Sequence, residues 1–162
     1  MKRQHLFPVV ISLVLLVSCS PNPDQELTSE QKAAIIEELE TVWKAGGIGL
    51  ENLDAEPMFS YFSESGEAKI ITYGYLNTDI QALKKQFQEW FDSPTAVKQK
   101  ATWDPVFYDF INDKAVLLTA IGSFETIDDT SSVIQPVNRA YTVLWIKESE
   151  DWKAINMHIS QQ

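Results

Sequence analysis

Apolar residues at Ile35, Ile36, Leu39, Val42 and Trp43 recur every three to four positions, while Glu37, Glu38 and Glu40 fall largely off that stripe. This period predicts an amphipathic helix with one buried face. Thr28-Ser29-Glu30-Gln31 stands just ahead of it as a capping box, a hydroxyl three residues before a glutamine, so the helix starts there. Gly46-Gly47-Ile48-Gly49 reads as its left-handed cap and turn. No strand precedes these glycines and their spacing is not G-x-G-x-x-G, which argues against a phosphate cradle. A second helix is expected from Asp54 to Phe62, with Pro57 in its first turn, then a strand from Ala68 to Tyr73. A third helix opens near Thr78, with Gln81 three residues on, carries Ile80, Leu83, Phe87, Trp90 and Phe91, and stops at Asp92-Ser93-Pro94.

Beyond Pro94 the period changes to two. Val97 to Ile111 and Lys114 to Ile127 flank Asn112-Asp113 and read as a long hairpin, with Pro105 marking a bulge or an unpaired edge position in its first arm. After a polar loop from Asp128 to Pro136, Val137 to Lys147 and Trp152 to Ser160 form a second hairpin around Glu148-Ser149-Glu150-Asp151. The order ααβα then ββββ, with no internal repeat, predicts an α+β domain whose three N-terminal helices pack on one face of a curved antiparallel sheet. Both faces of that sheet are apolar: Val116, Leu118, Ala120 and Phe124 alternate with Ala115, Leu117 and Ile121, and Tyr141, Val143 and Trp145 alternate with Ala140, Leu144 and Ile146. Three helices cover only one face, so a homodimer through the other is expected.

Charge and the N-terminus add a location. The 162 residues suffice for one domain, and 13 basic against 23 acidic residues give a net charge of −10, which argues against nucleic acid as a partner. Residues 1–18 form a leader: Lys2 and Arg3 are basic, Leu6 to Val17 is an apolar run too short to span a bilayer, and Ser18 is small. Leu16-Val17-Ser18-Cys19 resembles a bacterial lipobox, which implies cleavage before Cys19 and lipidation of that residue. Residues 19–27, with Pro21 and Pro23, then serve as a tether to a folded body at 28–162. Loss of the leader takes the net charge to −12, so attachment would rest on acyl chains and not on anionic headgroups. Ser20 is not the aspartate of inner-membrane retention, which favours the outer membrane in a host with two. One cysteine and two histidines cannot assemble a structural zinc site, and no cofactor motif is present.

The closing hairpin, Tyr141-Thr142-Val143-Leu144-Trp145 followed by Trp152, Ile155, His158 and Ser160 in the pattern W-x-x-I-x-x-H-x-S, resembles that of nuclear transport factor 2-like domains. The likeness is best to the SnoaL-like group and to the association domain of calcium/calmodulin-dependent kinase, where Asp104-Pro105 and Phe124 to Asp128 also find counterparts. It spans about Thr28 to Ser160 and implies a cone-shaped, cystatin-like fold with the helices on the concave face, a pocket inside, and frequent pairing through the outer sheet face. Its catalytic members are isomerases, dehydratases and polyketide cyclases. Ketosteroid isomerases place their base at the end of the first strand, where this chain has Ile70-Ile71-Thr72-Tyr73-Gly74 and no carboxylate.

The expectation is therefore a non-catalytic protein of the cell envelope that binds a small apolar ligand or a protein partner. Tyr73, Trp90, Tyr108, Phe124, Tyr141 and His158 are the candidate pocket residues. The enzymatic alternative is a cyclase, isomerase or dehydratase using His158 with Asp104, Asp109 or Tyr108, and a third is an accessory subunit with a filled cone. Arg139, the one arginine of residues 19–162, would hold an anion if it pointed inward, and reads more simply as a surface residue. The association domain's pocket arginines are replaced by Val143 and Ile159. The acidic groups at Glu125, Asp128, Asp129 and at Glu148, Glu150, Asp151 lack the spacing of a calcium loop, and there is no G-x-S-x-G nucleophile motif.

Overall fold

The computed structural model describes residues 26–127 and 136–161. The leader, Cys19 and most of the polar loop after Ile127 lie outside the described residues.

Helix α1 (Ser29–Asn52) begins with the expected capping box: Thr28 Oγ1 accepts from the Gln31 amide at 3.2 Å, and Gln31 Oε1 accepts from the Thr28 amide at 2.8 Å. Ile35, Leu39, Trp43 and Leu50 form its buried stripe. The glycines do not end it. The helix runs through all three and stops at Leu53, itself left-handed at φ 56°, ψ 45°. The reason is packing from outside the segment: a Cβ at Gly49 would lie 2.5 Å from Met58 Cγ and 2.6 Å from the Asp54 carbonyl oxygen. That close approach offsets the ~1 kcal/mol that glycine costs inside a helix.

Helix α2 (Ala55–Phe59) is capped by Asp54 and is shorter than expected, because Tyr61 and Phe62 leave it to enter the core. There the chain runs beside the C-terminal strand: the Ala154 amide donates to the Tyr61 carbonyl at 2.8 Å, and the Ser63 amide donates to the Ala154 carbonyl at 3.1 Å. Strand β1 (Lys69–Thr72) turns through Tyr73 and Gly74, both with positive φ, into β2 (Tyr75–Asn77), a strand the sequence pattern does not announce. Helix α3 (Ile80–Phe91) is capped by Asp79, whose side chain accepts from the Ala82 amide, and not by Thr78.

Four long strands follow: β3 (Lys98–Asn112), β4 (Ala115–Ile127), β5 (Val137–Glu148) and β6 (Asp151–Gln161). The curved, unclosed sheet has the order β2-β1-β6-β5-β4-β3. It is mixed and not wholly antiparallel, since β1 lies parallel to β6 with Ile71 beside His158. The parallel pair arises because the path through α2 returns β1 alongside the last strand in the same sense. Pro105 lies on edge strand β3 at a register shift between Trp103 and Val106, as its missing amide proton requires.

The inner face carries Val116, Leu118, Ala120 and Phe124 of β4 and Tyr141, Val143 and Trp145 of β5, all buried under α1 and its neighbours. Trp43 stands edge-on to Trp103, Tyr141 and Trp145, with ring centroids 4.7, 5.7 and 6.1 Å away, an arrangement that complements ring quadrupoles. On the outer face Phe107, Ile111 and Ile121 are exposed.

Candidate functional site: an apolar cavity under α1

Between the helices and the inner face of the sheet lies a cavity of about 100 Å³. Helix α1 contributes Trp43, Gly46 and Leu50; α2 and the chain after it contribute Met58, Phe59, Tyr61 and Phe62; α3 contributes Leu83 and Phe87. The sheet closes it with Ile70, Thr72, Trp103, Phe124, Tyr141, Met157 and Ile159. No carboxylate, histidine, lysine or arginine is among these lining residues. Its polar side chains are the Tyr61, Tyr141 and Thr72 hydroxyls and the indoles of Trp103 and Trp43, and the Trp43 indole nitrogen has no hydrogen-bond partner among the described residues.

Burial governs the phenols. It raises the Tyr61 pKa well above its ordinary value, helped by neighbouring Tyr141, and raises that of Tyr141 to about 12, opposed by the charge of Arg139. Both remain neutral donors at any physiological pH. Arg139 points inward: its guanidinium lies 4.5 Å from the Phe124 ring centroid. The surface reading of Arg139 is thus corrected, and the cause is strand alternation, which puts residue 139 on the same face as residue 141.

Of the six candidate pocket residues, Phe124 and Tyr141 line the cavity. Tyr73 sits exposed at the β1–β2 turn, donating from its hydroxyl to Gln161 Oε1 at 3.0 Å. Trp90 lies against Phe91 with the rings tilted by 38° and stands edge-on to Phe87, outside the lining. Tyr108 faces inward beside α1, half-buried, with its pKa raised by burial and by Glu40. His158 occupies the outer face between Ile71 and Thr142 and is exposed. Asp104 is exposed on the edge strand and Asp109 pairs with Leu117 on the outer face. The acid–base grouping of His158 with Asp104, Asp109 or Tyr108 is therefore not assembled: His158 and Tyr108 stand on opposite faces of the sheet. The acidic turn residue Glu148 accepts a hydrogen bond from Ser63 Oγ at 2.5 Å.

Every other lining residue was missed by sequence reasoning, among them the aromatics Trp43, Phe59, Tyr61, Phe62, Phe87 and Trp103. Of these aromatics Trp43 and Phe87 carried a signal as apolar positions of helix stripes, and Trp103 as a residue of an expected strand.

No protein-family model and no curated protein matches the sequence. Solved structures do match, and they define the class: the fold is nuclear transport factor 2-like, also called cystatin-like. A proposed scytalone dehydratase from Novosphingobium aromaticivorans superposes with TM-score 0.69 at 12% identity, over 83% of this chain and 89% of that one. A proposed calcium/calmodulin-dependent kinase II association domain from Xanthomonas campestris gives 0.61 at 13%, over 85% and 89%. A proposed dehydratase of the same fold family from Streptomyces avermitilis gives 0.64 at 11%, over 81% and 98%. At these identities the likeness establishes the fold alone.

Proposed function

We propose that this chain is a lipid-anchored protein of the bacterial cell envelope whose domain binds a small apolar ligand without transforming it. The observation that carries the reading is the cavity: apolar, about 100 Å³, and lined by no side chain able to act as a base near neutral pH. A filled cone would leave no such space, which disfavours the accessory-subunit reading.

Two copies pair through the outer face, supported by exposed Phe107, Ile111 and Ile121 and by Leu117 and Leu144 in register between them. Attachment rests on Cys19 and on the leader that precedes it. Native mass spectrometry of the purified chain tests ligand and pairing together: a dimer carrying a small neutral adduct is expected, and a bare monomer that takes up no aromatic probe overturns both. Cys19→Ala should move the protein from the membrane to the soluble fraction.

A further inference from the structure

Among the described residues, three buried side-chain nitrogens have no hydrogen-bond partner: Trp43 Nε1, Trp145 Nε1 and Arg139 Nε. All three are donors. Buried donors are ordinarily paired, and charged ones most of all, so the inner face is short of acceptors. Arg139 is the sharpest case. Lys44, Lys84, Lys85 and Lys147 each stand by a glutamate, whereas Arg139, in a chain of net charge −10, forms no ion pair among the described residues.

Strand register locates this unpaired cation. On the inner face Tyr141 of β5 pairs with Ile159 of β6, and both line the cavity; the next inward pair toward the strand ends is Arg139 with Gln161. Arg139 therefore sits one step beyond the lining, against the Phe124 ring that helps to close the cavity, and near enough to Tyr141 for its charge to act on that hydroxyl. Gln161 accepts from the Tyr73 hydroxyl at Oε1, so its remaining polar atom is also a donor. A neutral apolar compound would fill the cavity and leave the guanidinium unpaired. A carboxylate with a short alkyl tail would satisfy both, because its two oxygens match the guanidinium fork. At about 30 Å³ for a water-sized group, the cavity has room for about three heavy atoms. Resting on the ligand-binding reading above, and adding a charged end to that ligand, we propose that Arg139 is an anion subsite beside the cavity and that the ligand is a short aliphatic monocarboxylate. Its carboxylate lies on Arg139 and its tail, about three carbons, lies among the lining residues.

NMR titration of the full chain with isobutyrate, its neutral isostere isobutyramide, and acetate tests this. Isobutyrate should bind about 10-fold more tightly than isobutyramide, as a hydrogen-bonded charge supports, and about 10-fold more tightly than acetate, as the extra methyl groups support. It should also shift the Arg139 Nε–H signal downfield, because that donor gains an acceptor. Arg139→Met keeps an unbranched stem against Phe124, and should bring isobutyrate down to the isobutyramide value while leaving isobutyramide unchanged. Isobutyramide binding as tightly as isobutyrate, or a preference for the carboxylate that survives Arg139→Met, would overturn the anion subsite and leave the cavity as a neutral ligand site. Acetate binding as tightly as isobutyrate would overturn the placing of a tail in the cavity. Binding of none of the three overturns the ligand-site reading along with the subsite.

Discussion

The two faces of the sheet are built from nearly the same residue types and have different fates. On the inner face Leu118, Val143 and Trp145 are fully buried, whereas on the outer face Ile121 is 37%, Phe107 57% and Ile111 62% exposed. Composition does not separate them; coverage by α1 does, through Trp43 and Leu39. Stability should therefore be concentrated on one face and association on the other.

The largest effect expected is from Trp145→Ala, which removes the biggest fully buried side chain and should cost about 3–5 kcal/mol in urea unfolding. Leu117→Ala, one residue from buried Leu118 but facing outward, should cost less than half as much. Equal costs for Leu117→Ala and Leu118→Ala would erase the distinction between the faces. Next comes Gly122→Ala. Its Cβ would overlap the Trp103 ring, which lies across the bare backbone of β4, and a loss of about 1–3 kcal/mol is expected from overpacking.

A smaller and pH-dependent effect belongs to Glu38, which joins α1 to the closing hairpin by accepting from Lys147 Nζ at 2.8 Å and Trp152 Nε1 at 2.7 Å. These hydrogen bonds, that from Lys147 foremost, hold its pKa below the ordinary 4.5. The folded state thus binds its proton later than the unfolded chain as pH falls. The contribution is complete above the ordinary value and fades as pH drops through the lowered one. Because the carboxylate is half exposed to solvent, about 1 kcal/mol or less is at stake. Glu38→Gln should flatten the acid side of a stability–pH profile. The smallest effect on folding is expected from Phe107→Asp, within about 0.5 kcal/mol, while sedimentation should show the proposed dimer for the unaltered chain and a monomer for the variant.

What could be read in advance followed what is local. The four long strands and the α1 stripe declare themselves by period, and the Thr28 box marks the helix start to the residue. The end of α1 does not, because the contacts that keep Gly46 and Gly49 helical come from Tyr61 and Met58, beyond the helix itself. Strand β2 has three residues, with Tyr75 and Leu76 both exposed, so no alternation marks it. The parallel partnership of β1 with β6 joins residues some 87 positions apart, as in Ile71 with His158.

For the cavity, Phe124 and Tyr141 were visible as inward strand residues, and the same alternation extended by two positions would have turned Arg139 inward as well. Tyr61 lies in a short non-periodic stretch, where no pattern shows which way a side chain faces. His158 was drawn in by its chemistry, and the period of its own strand, with Met157 and Ile159 inward, sets it outside.

The seating of β1 and of Tyr61 on β6 has a bearing on how the chain folds during synthesis. The last strand supplies Trp152, Ala154 and Met157 to the core and backbone partners to Tyr61, Ser63 and Ile70. Until β6 has been made, β1 and the segment from Tyr61 to Ser63 have no edge on which to dock. The core therefore closes only through contacts that join distant parts of the chain, the kind that forms slowly and leaves apolar surface uncovered meanwhile.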